Sequence, residues 1–317
     1  RQLFTWSPEA ELADYTERAL LNGILSTQDP ATGMVMYYVP MESGWYKTFC
    51  TPNDSFWCCT GTGVENHAKY GDSIYFHDGN ALYINLFVAS ELGWPEKGLT
   101  LRQKTDFPRE QGTTLSISAP ADLDLDLRIR VPYWATRGVS VAINGESQEV
   151  SAHPASYLSL ARKWKNGDTV RIETPMSLHL WRMPDDPHVA AILFGPVVLA
   201  GELPTEGLSD EQFYGPYHAD GKPASAPDLV PTEESLDSWI RPVAGRPLLF
   251  QTTGAGRPND VTLVPFCELF GKRYALYWNL YTEKEWAAVS AKRKARAAEE
   301  AARKRDIELR LVDRVAV

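Results

Sequence analysis

At about residue 80 the apolar residues of this 317-residue chain change period, and that change restricts the fold more than any other feature. Upstream, Leu12, Tyr15, Ala19, Leu20 and Ile24 recur at helical spacing and predict a helix over 7–25. Ser7 is placed to cap it, Pro8 suits its first turn, and Glu9 and Glu11 favour the positive end of its dipole. A second helix is predicted over 63–76, where Thr62 and Glu65 form a capping-box pattern and Glu65 with Lys69 makes an i,i+4 pair. The stretch 26–57 between them reads as irregular, with short extended pieces such as 34–38.

Downstream the period is two. Leu82, Ile84, Leu86 and Val88 alternate with Tyr83, Asn85 and Phe87, and Leu123–Val131 is a plain half-buried strand. Asn144-Gly145 and Asn166-Gly167-Asp168 read as hairpin turns between strand-like runs. Short strands continue through 189–199, 248–252 and 261–281, so 80–282 is expected to be antiparallel β, built as sandwiches. The stretch 203–235, rich in Pro, Gly, Ser and Asp, reads as a long surface excursion. An Ala-rich helix is expected over 283–306; its charges are mixed in sign, which favours a solvated helix over a basic binding arm. The end, 309–315, reads as a strand.

The fold class expected is therefore mixed α and β and multidomain. The divisions fall at 1–77 (helical), 78–187 (β-sandwich), 188–282 (a second β-rich domain) and 283–317 (charged helix and the start of a further segment). Two helices do not enclose a core of their own. Residues 1–77 are thus expected to be the end of a larger helical domain. The chain opens at Arg1 without an initiator methionine and shows no signal peptide, which leaves the compartment open.

The net charge is −9, with no basic stripe before the last helix, so no nucleic-acid partner is expected: phosphate contacts need clustered Lys and Arg. No run approaches the roughly 18 consecutive apolar residues of a membrane span, so no membrane partner is expected either. Ten tryptophans and fourteen tyrosines are a generous aromatic supply, used first by a core and second by sugar rings. Four cysteines are too few for a disulfide scaffold, and two of them, Cys58 and Cys59, are adjacent.

That pair concentrates the chemistry. One reading is two buried thiols, since free cysteine is among the most buried residue types. A second is a structural zinc site of Cys50, Cys58, Cys59 and His67, although C-x7-C-C matches no usual ligand spacing. A third is a catalytic thiolate placed before a helix start, and Cys–His catalysis with His67 is a variant of it.

The segment Asn53-Asp54-Ser55-Phe56-Trp57-Cys58-Cys59-Thr60-Gly61-Thr62-Gly63, continuing to Tyr75, resembles the Cys-Cys segment of the β-L-arabinofuranosidases of glycoside hydrolase families 127 and 146. Stretches 15–25, 194–201 and 273–278 are similar to other segments of those proteins, so the resemblance covers nearly the whole chain. It implies an (α/α)6 barrel followed by β-sandwich domains, hence the last helices of that barrel here. It also implies a retaining exo-glycosidase acting on terminal β-L-arabinofuranose in arabinofuranose-containing glycans. The first cysteine, Cys58, would be the nucleophile. Cys58 and Cys59 would both bind zinc, and Tyr38 aligns with a substrate-contacting tyrosine.

The family completes its zinc site with an upstream Glu-x-Cys and uses an upstream glutamate as acid/base. Neither is found in 1–57: Thr48, not glutamate, stands two before Cys50, and nothing in the spacing of Glu42 recommends it. The resemblance therefore implies half a site, inactive or nearly so by itself, in a portion of the enzyme. The rival readings from other classes are a non-catalytic carbohydrate-binding or scaffold protein and a structural zinc module.

Overall fold

The structure, a computed structural model, describes residues 1–215 and 222–315, with side chains described to residue 309. The first β unit is a sandwich. One sheet has four strands in the order Tyr75–Asp78, Ala81–Ile84, Leu123–Val131, Ser156–Trp164. The other has six, in the order Ser90–Trp94, Leu99–Thr105, Gly112–Ser118, Thr169–Glu173, Ser140–Ile143, Glu146–Gln148. Alternation puts Leu125, Leu127 and Ile129 of the first against Leu101, Leu115 and Val170 of the second in one core. Asn144 and Gly145 both take left-handed φ values (54° and 85°), closing the expected two-residue hairpin.

Two expectations for this unit need correction. Ala81–Ile84 and Leu123–Val131 run parallel, so the unit is not wholly antiparallel. All four residues of Ala81–Ile84 are buried because both faces are covered: Leu82 and Ile84 enter the sandwich core, whereas Ala81 and Tyr83 pack with Phe4 and Ala13. The Asn166-Gly167-Asp168 turn is not a hairpin. It carries the chain from Ser156–Trp164 in one sheet to Thr169–Glu173 in the other. The Asp168 carboxylate fixes this corner by accepting from Asn144 Nδ2 and Lys165 N, both at 2.8 Å.

On the outer face of the four-stranded sheet lie α1 (Gln2–Trp6) and α2 (Ala10–Arg18). The helix expected over 7–25 is shorter: Ser7 ends α1 and Glu9 precedes α2. Beyond Arg18 the backbone widens into a π-turn at Ala19–Ile24 and tightens again at Leu25–Thr27. Asn22 explains the widening. Its Nδ2 donates to Arg18 O at 3.0 Å and Pro196 O at 2.8 Å, and its Oδ1 accepts from Val198 N at 2.7 Å, so the turn opens toward the second β unit.

The second helix, α3, spans Cys58–His67 and not 63–76. Trp57 is extended (φ −113°, ψ 166°), and its carbonyl accepts from Thr60 N at 2.7 Å, so the helix starts five residues early. Thr62 is consequently inside it and donates back to Cys58 O at 3.3 Å instead of capping. After a 3₁₀ turn at Tyr70–Ser73, pairing with Ala81–Ile84 draws Tyr75–Asp78 into the sheet.

The second β unit is an eight-stranded sheet whose path runs Leu178–Arg182, Val189–Phe194, Val197–Leu203, Thr262–Pro265, Phe250–Thr252, Ile240–Pro242, with Arg273–Ala275 and Tyr277–Asn279 paired off it. Gly201 has no substitute here: a Cβ would fall 2.3 Å from the buried Trp278 ring. The expected excursion at 203–235 is only partly on the surface. Leu229 and Val230 are fully buried, Asp228–Leu229 pairs with Gly256–Arg257, and residues 216–221 lie outside the described residues. A four-residue helix, α4 (Leu236–Trp239), precedes the edge strand, and α5 (Glu283–Val315) leaves the sheet. The strand expected at 309–315 is helical backbone, in which the chain satisfies its own carbonyls. Among the described residues no helix is long and apolar enough to cross a membrane.

Candidate functional site

Cys58 and Cys59 occupy the first turn of α3, and both side chains are exposed. This overturns the reading of two buried thiols. Thr60, on the opposite side of this turn, is fully buried. The positive end of the helix dipole favours negative charge at this turn.

Beside the pair stands an aromatic group. Tyr37 meets Tyr38 edge-on at 4.5 Å and Trp57 edge-on at 6.0 Å between ring centroids. The Tyr37 phenol is held above its ordinary value first by Tyr38 and then by Cys58 and Cys59, which places Tyr37 within electrostatic reach of both thiols. Tyr38 is 57% and Trp57 45% exposed, so the group offers ring faces to solvent next to the sulfur atoms. The sequence reading selected Tyr38 and missed Tyr37 and Trp57. The Tyr-Tyr doublet was the available signal, but nothing local says that 34–38 returns to the start of α3. What returns it is pairing: Met36 N donates to Thr27 O at 3.0 Å, and Cys50 N to Val35 O at 2.9 Å.

The remaining candidates do not converge. His67 ends α3, and its Nδ1 lies 2.5 Å from Tyr70 Oη; nine helical residues, about 13 Å of rise, separate it from Cys58. Cysteine–histidine catalysis within this helix is therefore excluded by length. Cys50 is buried, with its Sγ 4.0 Å from Met34 Sδ. Glu42 accepts from Trp45 Nε1 at 3.0 Å. Among the described residues no three His, Cys, Asp or Glu side chains gather as a metal would require, so the four-ligand site of Cys50, Cys58, Cys59 and His67 is not assembled. As donors for zinc, the adjacent exposed thiols fit as two ligands of a set that these residues do not complete.

A buried charge network ties α2 to the first β unit. Arg130, fully buried on Leu123–Val131, pairs with Asp14 and with Glu17 (Nη2–Oε1 2.5 Å), while Trp134 Nε1 donates to Glu17 at 2.9 Å. Both carboxylates lie on α2, whose π-turn continuation packs against α3. Burial pushes the Asp14 carboxyl up to about 6, against the pull of the Arg130 charge. A cavity of about 520 Å³ opens where the helices meet the two β units, lined by Leu20, Leu25, Phe87, Phe107, Leu248 and Phe270; neither thiol lines it. The thiol pair and this cavity are thus in different places.

Residues 1–72 match the family profile of the β-L-arabinofuranosidase GH127 catalytic domain, and residues 81–176 match that of the GH127 middle domain. The chain belongs to the GH127 family. Residues 179–280 of this GH127 chain match a profile for a domain of unknown function. No curated protein matches the sequence. Among solved structures, a GH127 β-L-arabinofuranosidase from Geobacillus stearothermophilus T6 is 20% identical with a TM-score of 0.65, over 89% of this chain and 48% of that one. A GH127 β-arabinofuranosidase is 22% identical with a TM-score of 0.63, over 88% and 47%. A third, described as a glycoside hydrolase, is 18% identical with a TM-score of 0.64, over 88% and 50%. The mixed, multidomain fold with several mostly antiparallel sheets is thereby shared, and the GH127 chain spans about half the length of these relatives.

Exposure sorts the four thiols. Under native conditions an uncharged thiol reagent is expected to modify Cys58 and Cys59 quickly. Cys267, whose thiol burial pushes up to about 11, should react slowly, and buried Cys50 only on unfolding. Mass spectrometry of the time course checks this; fast labelling of Cys50 would contradict the placement of 34–50.

Proposed function

We propose that this GH127 chain is a portion of a retaining exo-glycosidase that hydrolyses terminal β-L-arabinofuranosides, with Cys58 as nucleophile, Cys59 as zinc ligand and Tyr38 in contact with the sugar. The observation that carries the reading is the exposed thiol pair on the first turn of α3 beside Tyr37, Tyr38 and Trp57, within the stretch that matches the catalytic domain. On this reading 1–77 contributes the last helices of an (α/α)6 barrel, and the partner is an arabinofuranose-containing glycan.

Cys58 Sγ, as a thiolate, attacks the anomeric carbon while the bond to the aglycone oxygen breaks and that oxygen takes up a proton. Water then attacks the anomeric carbon, and the electron pair of the C–S bond returns to Cys58. The helix N-terminus favours the negative charge on sulfur before attack and after release, and the Tyr37–Tyr38–Trp57 group stacks on the apolar face of the ring. Zinc, when bound, would supply a Lewis acid that keeps the thiol ionised.

Both displacements need a proton donor and acceptor at the leaving oxygen. Within 1–57, Glu42 is engaged by a hydrogen bond from Trp45 Nε1. Residues 1–317 alone are therefore expected to be inactive or nearly so. The test assays an aryl β-L-arabinofuranoside with this chain alone and with this chain joined to the half of a longer GH127 relative that it does not span. Turnover only in the joined chain, together with a covalent arabinosyl adduct on Cys58, supports the reading. Turnover by residues 1–317 alone overturns the missing acid/base, and turnover without a Cys58 adduct overturns the nucleophile.

A further inference from the structure

The cavity where the helical segment meets the two β units has no part in the chemistry of the thiol pair. Its volume of about 520 Å³ falls within the roughly 300–1,000 Å³ of small-molecule sites, which favour junctions of this kind. Leu20 and Leu25 wall it from the turns that follow α2, Phe87 and Phe107 from the first β unit, and Leu248 and Phe270 from the second. Two of the rings are fixed by their neighbours. Phe107 meets Phe87 edge-on at 5.7 Å and stacks on Trp134 at 5.9 Å between centroids. Three elements of the chain thus supply one apolar lining, which suits an aryl or alkyl body.

Charge decides the rest of the occupant. Among the described residues four charged side chains line the cavity: Glu17, Asp106, Arg109 and Glu268. Glu17 is taken by Arg130 and Trp134. Arg109 Nη2 lies 2.7 Å from Glu268 Oε1, so these two cancel each other across the two β units. Asp106 is left over. Its backbone carbonyl accepts from Glu110 N at 3.1 Å, but among the described residues its carboxylate has neither an ion-pair nor a hydrogen-bond partner. The cavity therefore carries one uncompensated negative charge, at an exposed position.

The faces of the aromatic rings add negative potential, which draws a cation and repels an anion. Phe270 already shows this preference: Lys47 Nζ, which does not line the cavity, lies 4.4 Å from its centroid. Burial pushes the Lys47 ammonium down to about 7, so above that pH it adds little opposing charge. We propose that this cavity binds an amphipathic organic cation, an aryl or alkyl body bearing one ammonium group, with the body among the rings and the ammonium beside Asp106. An amphiphile ending in a carboxylate would meet Asp106 with no free guanidinium to receive it, because Arg109 is held by Glu268.

Ligand-observed NMR titrations of residues 1–317 at pH 8 test this with three probes that share one body: 4-phenylbutylammonium, 4-phenylbutanol and 4-phenylbutyrate. The ammonium is expected to bind with a Kd of roughly 1 mM, the alcohol about fivefold more weakly and the carboxylate more weakly still. Asp106→Asn, at an exposed position, should lower the affinity for the ammonium to that for the alcohol and leave the alcohol unchanged. No saturable binding of the ammonium up to 10 mM overturns the site. Equal affinity for the ammonium and the alcohol overturns the cation, and an unchanged Asp106→Asn variant overturns its anchor. Cys267 lines the cavity and reports the location. Saturating ammonium should slow alkylation of Cys267 by iodoacetamide severalfold and leave Cys58 and Cys59 unaffected, read by mass spectrometry. An unprotected Cys267 beside saturable binding places the probe elsewhere and refutes the assignment.

Discussion

Replacing Cys58 with alanine in the joined, catalytically complete chain is expected to lower turnover of an aryl β-L-arabinofuranoside by roughly a thousandfold or more, the scale of removing a covalent nucleophile. The fold should not notice. Cys58 is exposed, and surface substitutions away from special features stay within about 0.5 kcal/mol. Equal denaturant midpoints for native and Cys58→Ala chains, beside the kinetic loss, separate a chemical role from a structural one. Cys59→Ala provides the contrast: it should cost activity together with bound zinc, whereas a structural zinc module would lose folding with either cysteine. Turnover that survives Cys58→Ala would end the nucleophile assignment.

Arg130→Met is expected to destabilise the protein by about 3–5 kcal/mol at neutral pH, because two carboxylates of α2 are left buried without their cation. Chemical denaturation measures it; a loss below about 1 kcal/mol would show that the network is wetter than the structure has it. Acid should soften the effect. Asp14 has a folded-state value raised to about 6 from 3.8, chiefly by burial, so below pH 4 it is neutral in both states and between pH 4 and 6 only the folded protein keeps its proton. The stability contributed by Asp14 is therefore complete below about pH 4 and is lost as the pH rises through 6. The gap in unfolding free energy between native and Asp14→Asn chains should shift against the native chain by as much as about 3 kcal/mol over that window. A flat gap would contradict the raised carboxyl.

The same network shows why part of the site was not legible in the residues. Arg130 stands 116 positions from Asp14 and 113 from Glu17, and no spacing rule links them. The Arg128-Ile129-Arg130 alternation reads as a strand with its arginines toward solvent. Only α2, laid across that face, buries Arg130 while leaving Arg128 part-exposed. Tyr37 is a similar case. It belongs to an irregular stretch, and backbone pairing through Thr27 and Cys50 brings it to the thiols.

Periodicity and the cysteine segment were properties of neighbours in the chain, and the sequence alone sufficed for them. A two-residue alternation gives one face apolar wherever the strand ends up, so Leu123–Val131, the Asn144-Gly145 hairpin and the β character of 80–282 could be read directly. Tertiary structure decided what depends on partners. The strand Tyr75–Asp78 was taken from the end of a helix by pairing with Ala81–Ile84, and 309–315 continues the last helix. The turn at Asn166 crosses between sheets because Asp168 is tied to Asn144, and Cys58 opens α3 because Trp57 ends the extended stretch before it. Local spacing sets which faces are apolar; a hydrogen bond or ion pair across a hundred residues exists only once the chain has folded.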